Sequence, residues 1–182
     1  MKRFFKFVCQ DWQVNKGNMK GRIFLLLFRM ANFGTKSSFY HFISLPYLFL
    51  YKFLIQWIFT LEIPWRVSIG ESLSIYHGQA LIINKDVVIG RNCTLRQCTT
   101  IGVKQNFDGS AGKAPVIGDF VNIGSNVCII GEIEVGNHVM IGSGAVVVKS
   151  IAENCIAVGN PAVQKPYAQV KSTPIHTELA PA

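Results

Sequence analysis

The chain holds four histidines, the side chains best suited to taking a proton from a hydroxyl near neutral pH. His41 lies in the apolar amino-terminal third, His176 in a polar carboxyl-terminal stretch, and His138 inside a regular sequence repeat. His77 instead interrupts that repeat, in the segment YHGQA. We therefore predict that His77 is a general base.

The repeat has a period of six residues. Large aliphatic residues recur at every sixth position from 117 to 147, and a second run contains Ile89, Leu95 and Ile101. Glycine often follows the aliphatic residue and Ser or Asn comes next, which suits a short strand closed by a tight turn. Three such units form one triangular coil, and stacked coils bury a column of aliphatic side chains. The sequence predicts a β-solenoid over residues 63–163.

Two insertions break this period, and function in repeat proteins is often carried by such insertions. The first adds two residues after Ile75 and contains His77. The second adds four residues after Ile101, in the polar stretch VKQNFDGSAGKA. We predict that residues 103–115 form a loop projecting from the coils.

Before the repeats, long apolar runs predict an α-helical region over residues 1–62. The runs at 21–33 and 44–60 are too long and too continuously apolar to be single strands. Pro46 fits the first turn of the second helix, where a missing N–H costs nothing. After the repeats, the polar residues 164–182 are predicted to form a poorly ordered tail.

Composition and charge limit the possible classes of protein. With 182 residues, 49% of them apolar and 15% charged, the chain suits one folded unit. The net charge is +8, and residues 1–64 contribute +7 of it, nine Lys or Arg minus Asp11 and Glu62. A basic, aromatic amino-terminal region suits an anionic membrane surface or an acidic substrate. No nucleic-acid-binding motif accompanies the charge, so no nucleic acid partner is expected.

The sequence also bears on cellular location. No charged and apolar stretch ends in a small-residue cleavage site, and the apolar run at 45–59 is short for a membrane span. Five cysteines without a CxxC pair lie mostly among apolar residues, as expected of buried thiols in a reducing compartment. We predict a cytoplasmic protein, with peripheral attachment to the inner face of the membrane as a further hypothesis.

Three segments carry a family resemblance: YHGQALIIN, the run from 116 to 151, and the closing VGNPA. Together they resemble the serine acetyltransferase branch of the hexapeptide-repeat acyltransferases. The amino-terminal stretch at 11–33 is similar to that of colanic-acid and capsular-polysaccharide O-acetyltransferases within this branch. The resemblance implies a left-handed parallel β-helix, a homotrimer with active sites between subunits, and acetyl-CoA as co-substrate without a metal.

The resemblance also implies roles for particular residues. Glu62 lies fifteen residues before His77, at the spacing where the serine acetyltransferases carry an Asp that orients the catalytic histidine. Tyr76, Lys113 and Asp11 are weaker candidates for binding the acceptor. The candidates for binding acetyl-CoA are four small residues predicted at corners of the coils, Gly102, Ser125, Ser143 and Gly144, and two lysines, Lys149 and Lys165.

Two enzymes in this branch fit the sequence. The first transfers acetyl to a sugar hydroxyl of a capsular polysaccharide, an exopolysaccharide or its precursor, and the second is a serine O-acetyltransferase of cysteine biosynthesis. Lys113 and Ala114 stand where the serine enzymes carry an Arg-His pair that holds the substrate carboxylate, and Tyr76 replaces an acidic residue found in some of them. These departures favour the sugar acceptor.

Two further hypotheses belong to other classes. A zinc hydratase on the same scaffold requires about three converging histidines, and the repeats contain two, His77 and His138. A non-enzymatic β-helical scaffold, or a peripheral membrane component, would use the basic, aromatic amino-terminal region instead.

Overall fold

The computed structural model describes residues 2–34 and 38–169, and of residues 38–43 and 169 it describes the backbone. His176 and most of the predicted tail lie outside the described residues, as does the side chain of His41. Three α-helices precede the repeats: α1 Lys2–Val8, α2 Met19–Gly34 and α3 Ser38–Lys52. A π-helical segment, Phe53–Ile58, continues α3.

Both predicted helices are present, with two corrections. The second helix begins at Ser38, so Pro46 lies inside α3 and not in its first turn. The residues SFYHFI before the proline extend the apolar helical run upstream, and an interior proline removes one backbone hydrogen bond without ending the helix. The second correction is that α1, which lies within the predicted helical region, was not predicted as a separate helix, because seven residues of mixed basic and aromatic type show no helical period.

The repeats form short strands, most of two or three residues. In chain order they are β1 Ser68–Ile69, β2 Ser74–Tyr76, β3 Ile82–Ile83, β4 Val88–Ile89, β5 Thr94–Arg96, β6 Thr100–Gly102, β7 Val116–Ile117, β8 Asn122–Ile123, β9 Cys128–Ile130, β10 Glu134–Val135, β11 Met140–Ile141, β12 Val146–Val147, β13 Cys155–Val158 and β14 Val163–Pro166.

These strands stack into three faces, and in each face the strands of successive coils pair in parallel. This confirms the predicted solenoid. One face is β1-β4-β7-β10, the second contains β2-β5-β8-β11-β13, and the third is β3-β6-β9-β12. Each coil contributes one strand to each face. The aliphatic residue of every repeat points inward, as shown by Ile89, Ile117 and Ile123, each at most 2% exposed. Their burial removes a continuous apolar column from water.

The amino-terminal region closes the first coil with polar contacts. Asp11 and Arg29 form a buried ion pair, with Oδ2 and Nε 2.7 Å apart. The other Asp11 oxygen accepts a hydrogen bond from the Leu73 N–H, while Asn15 and Asn18 donate to the carbonyls of Leu73 and Ile75. The backbone at the edge of β2 therefore finds its partners in side chains of the amino-terminal region.

The last described residues correct the predicted tail. Strand β14 pairs antiparallel with β13, and a single 3₁₀ turn follows at Tyr167–Gln169. The chain pairs here because β13 otherwise presents a free sheet edge, whose backbone groups need partners. Lys165 therefore lies on a strand, opposite Ile156.

Candidate active site

His77 lies at one edge of the prism, where the face of β2 turns into the face of β3. The strand register places Ser74, Thr94, Asn122 and Met140 side by side in successive coils. The backbone then turns at Gln97, Ser125 and Ser143 in the later coils, and the Cys98 N–H donates to the Gln79 carbonyl, which places Gln79 beside Gln97. Gln79, Gln97, Ser125 and Ser143 therefore form a ladder along one edge, here called the His77 corner, and His77 lies in the two-residue insertion just before Gln79. Neighbouring strands lie about 4.8 Å apart, so His77 and Ser143, three coils apart, are separated by roughly 14 Å along the prism.

The first insertion lengthens this corner at His77. Tyr76 pairs with Arg96 and Ile82 with Thr100, so residues 77–81 fill a turn that residues 97–99 fill in the next coil. His77 and Gly78 both have positive φ, at 65° and 71°. A left-handed conformation is uncommon for a histidine and turns its imidazole out of the regular coil path.

An open, largely polar pocket of about 450 Å³ lies against the His77 corner. Its lining residues are Tyr76, His77, Thr94, Arg96, Gln97 and Asn122. The side-chain oxygen of Gln97 is buried and has no hydrogen-bond partner among the described residues. The pocket therefore combines an imidazole, a guanidinium and several neutral polar groups that can contact a hydroxyl-rich molecule.

Glu62 stands one coil before the pocket. It bridges in parallel to Ile82, the first strand residue after the His77 turn, and its side chain is exposed. The Ala80 N–H also donates to the Thr60 carbonyl, so this turn packs directly against the segment that carries Glu62. Within the described part of the chain, no hydrogen bond or ion pair joins Glu62 to His77. The predicted pairing of these two residues stays a prediction.

The candidate acetyl-CoA residues fall into separate groups. Ser125 and Ser143 meet at the His77 corner, with hydroxyl oxygens 3.2 Å apart, and the Gly144 N–H donates to the Ser125 carbonyl. Gly102 is in register with Ile130 on the third face, which turns into the first face at another edge of the prism. The fold therefore brings three of the predicted acetyl-CoA residues, Ser125, Ser143 and Gly144, together at one corner of the chain.

The two lysine candidates lie outside the His77 corner. Lys149 is exposed and follows β12, on the same face as Gly102. Lys165 is exposed on β14. Neither side chain makes a described contact with Ser125 or Ser143.

The candidate acceptor residues are also dispersed. Tyr76 lines the pocket and is 40% exposed. Lys113 forms an exposed ion pair with Glu132 at the base of the projecting loop, with Nζ and Oε1 2.6 Å apart. Asp11 is buried in its pair with Arg29, so in this structure its carboxylate stabilises the fold and is closed to solvent.

His138 lies away from His77. Its ring stacks on Phe120 with centroids 4.7 Å apart, at the edge between the first and second faces. Because the two histidines occupy different edges of the prism, they cannot share one metal ion. No cluster of three potential metal ligands occurs among the described residues. None of the helices in the described part of the chain is long and apolar enough to cross a membrane.

Comparisons with known proteins agree with this fold. The chain is 35% identical to the putative colanic acid biosynthesis acetyltransferase WcaB of Escherichia coli (strain K12) over 159 residues, 85% of this chain and 96% of that protein. It is 33% identical to the serine acetyltransferase of Helicobacter pylori (strain ATCC 700392 / 26695) over 138 residues, 76% and 77% of the two chains. The soybean serine acetyltransferase apoenzyme shares the fold at 24% identity, with a TM-score of 0.75 over 89% of this chain and 69% of that one. No family model matches the sequence.

The chain belongs to the hexapeptide-repeat acyltransferases, in the branch that includes the serine acetyltransferases. It is an acetyltransferase with acetyl-CoA as co-substrate. The predicted family and the left-handed parallel β-helix are both confirmed.

Four pocket residues were missed by the sequence analysis: Thr94, Arg96, Gln97 and Asn122. All four lie within uninterrupted repeats, so no break in the period marks them. The register that places Arg96 beside Tyr76 follows from the two-residue insertion at His77, and this alignment of coils was the signal that could have found them.

Proposed function

We propose that this enzyme transfers acetyl from acetyl-CoA to a sugar hydroxyl of a capsular polysaccharide, an exopolysaccharide or its precursor, with His77 as general base. The observation that carries the proposal is the polar pocket that holds His77 beside the exposed ring of Tyr76. An aromatic ring next to a base suits a sugar, whose apolar ring face stacks while its hydroxyls form hydrogen bonds. Similarity to WcaB over nearly its whole length supports the same acceptor class.

In the proposed reaction, an imidazole nitrogen of His77 takes the proton of the acceptor hydroxyl as its oxygen attacks the thioester carbonyl carbon. The resulting tetrahedral oxyanion needs hydrogen-bond donors, which rigid backbone N–H groups supply at low cost. Collapse breaks the carbon–sulfur bond, and the imidazolium returns the proton to the departing thiolate. The products are the acetyl ester and CoA.

Glu62 is proposed as a positioning residue for His77. A carboxylate at the second ring nitrogen fixes the tautomer and stabilises the imidazolium that forms during transfer. Glu62 lies on the coil segment that packs against the His77 turn, and rotation of its exposed side chain costs little. Glu62→Gln should lower kcat and change its pH profile, with little effect on the KM for acetyl-CoA. An unchanged pH profile would remove Glu62 from the mechanism.

The acceptor class is tested by measuring thiol release from acetyl-CoA with two kinds of acceptor, free serine and a panel of de-O-acetylated capsular polysaccharides. We expect release that depends on the glycan and is absent in His77→Ala. Release with serine equal to or greater than that with every glycan would instead make this a serine O-acetyltransferase.

We also propose a cytoplasmic homotrimer, with acetyl-CoA lying between neighbouring prisms. The projecting loop supports this, because it carries the fully exposed ring of Phe107 away from its own coil, where a second prism would cover it. Light scattering should give a mass near three times the 20.2 kDa of the chain. A monomer at working concentration would contradict the trimer.

We also propose that the protein attaches peripherally to an anionic lipid surface. Phe49 and Trp57 are 77% and 76% exposed on α3 and the π-helical segment, and Phe53 lies between them beside Lys52. Exposed aromatics next to basic residues suit an anionic bilayer. Vesicles containing phosphatidylglycerol should sediment the wild-type protein, whereas neutral phosphatidylcholine vesicles should not.

The matched variants for this test are Phe49→Ala with Trp57→Ala, and Phe107→Ala as a control on the projecting loop. The double variant should lose vesicle binding and the control should keep it. Equal binding of all three proteins would show that this patch does not contact lipid.

A further inference from the structure

Arg96 occupies the position directly beside Tyr76 in the next coil. The two residues are paired in the parallel register of β2 and β5, and both line the pocket that holds His77. The Arg96 guanidinium carbon lies 5.8 Å from the centre of the Tyr76 ring. A positive charge is thus held within the pocket where the acceptor hydroxyl must meet the imidazole.

The guanidinium is fixed in place without being neutralised. Nη1 donates to the side-chain oxygen of Asn122 and to the carbonyl of Ile123, both uncharged. No carboxylate pairs with Arg96 within the described residues, and none lines the pocket. Anchoring through one nitrogen leaves the N–H groups on Nε and Nη2 available as a planar pair of donors.

Two other arginines among the described residues pair with a carboxylate, whereas Arg22 donates to the Trp12 carbonyl and pairs with none. Arg29 pairs with Asp11 in the core, and Arg91 pairs with Asp119 at another edge of the prism. Arg96 is only partly exposed, so its charge has given up some hydration without gaining an anionic partner. A bound anion in the pocket would supply that partner.

We infer that Arg96 and the pocket around it form a subsite for an anionic group on the acceptor, a carboxylate or phosphate one sugar unit or less from the hydroxyl that is acetylated. This inference rests on the proposed function and specifies its acceptor class. The planar donor pair matches two oxygens of either anion.

An experiment can distinguish two sources of the anionic group: a uronic acid within the glycan, or the phosphate of a glycosyl-phosphate precursor. The acceptors to compare are a glucuronic-acid-containing polysaccharide, the same polysaccharide after reduction of its carboxyl groups to alcohols, a neutral glucan, and a sugar nucleotide. Wild-type enzyme should prefer one of the anionic acceptors through a lower KM, and added salt should weaken that preference.

Arg96→Gln should raise the KM for the preferred anionic acceptor by about 10- to 100-fold, the range expected when a hydrogen bond to a charged group is lost. The kcat, the KM for acetyl-CoA and the activity on the neutral glucan should stay within about twofold. Arg96→Lys should recover part of the loss because it restores the charge without the planar donor pair. Arg91→Gln, an exposed arginine at another edge, is the matched control and should behave as wild type.

Three results would overturn the inference. Equal use of the intact and carboxyl-reduced polysaccharides and of the sugar nucleotide by wild type would leave glycan acetylation standing and remove the anionic subsite. A raised KM for acetyl-CoA in Arg96→Gln would assign Arg96 to the donor phosphates. If wild-type enzyme acetylates serine and none of the glycans, the proposed function itself fails and the subsite fails with it.

Discussion

At the scale of single residues, the edge of the prism on which a side chain lies decides what it can do. His77 and His138 are both repeat-region histidines with positive φ, at 65° and 56°. His77 faces an open polar pocket, whereas His138 stacks on Phe120. The same residue type therefore has two different surroundings, and a positive φ alone does not distinguish them.

Replacing the two histidines separately tests this distinction. His77→Ala should lower kcat by about 10²- to 10⁴-fold, the usual contribution of a general base, with an unchanged melting temperature. His138→Ala should leave kcat within about twofold, since that ring contacts Phe120 and not the pocket. Steady-state kinetics and thermal melts of both variants test this prediction. Comparable losses of kcat in the two variants would contradict the assignment of His77 as the general base.

The cysteines offer a second test at the residue scale. Burial raises the pKa of the Cys93 thiol to about 11, so it stays protonated and unreactive at pH 8. Cys98 is exposed and directly follows Gln97 at the His77 corner. At pH 8, iodoacetamide should label Cys98 and spare Cys93, and saturating CoA should slow the labelling of Cys98. Mass spectrometry of digested protein reports both sites; labelling of Cys98 at the same rate with and without CoA would place the co-substrate elsewhere.

At the scale of elements, helix α2 packs on the strand that leads to His77. A Cβ added to Gly21 would lie 2.7 Å from the carbonyl oxygen of Ile75 and 2.5 Å from the Asn18 side chain. Gly-to-Ala changes inside helices usually stabilise by up to about 1 kcal/mol, but backbone contact this close reverses the sign. The helix can therefore approach β2 only with glycine at this position.

Gly21→Ala should consequently destabilise the protein by roughly 1–3 kcal/mol and lower kcat by shifting β2 and the His77 turn. Urea unfolding and steady-state kinetics measure the two effects. Lys20→Ala, an exposed neighbour in the same helix, is the control and should change neither. A stabilised Gly21→Ala protein would mean that α2 moves away from β2 without cost.

The sequence was sufficient for the coils and for the position of the insertion that contains His77, because a six-residue period and a break in it are visible without coordinates. It was not sufficient for contacts between coils. Arg96 becomes a pocket residue only when the insertion at His77 sets its register with Tyr76. Burial of Asp11 was equally hidden, since its partner Arg29 lies 18 residues away on a different element. Cys98 was expected to be buried, yet it occupies a corner and is exposed.

At the scale of the whole molecule, the buried Asp11–Arg29 pair joins the helical region to the prism. Besides pairing with Asp11, Arg29 donates to the carbonyls of Ile69 and Gly70, so one side chain of α2 holds the end of β1. Both members are at most 2% exposed. Removing one of them leaves a buried charge without a partner.

Asp11→Ala should therefore lower the free energy of unfolding by about 3–5 kcal/mol. The double change Asp11→Leu with Arg29→Met should cost less, because it leaves no unpaired charge in the core. Chemical denaturation of the three proteins gives both values. A loss below about 1 kcal/mol in Asp11→Ala would show that water or a neighbouring group replaces the carboxylate.

The ladder of Gln79, Gln97, Ser125 and Ser143 also fixes distances along the prism, because each member lies one coil from the next. Each coil adds one residue to that edge and about 4.8 Å to its length. The distance along the prism from the His77 insertion to any later member of the ladder therefore changes only by whole coils. Inserting or deleting one coil between β5 and β8 would lengthen or shorten the reach from His77 to Ser125 in a single discrete step, which makes the fit to a donor of given length a matter of counting repeats.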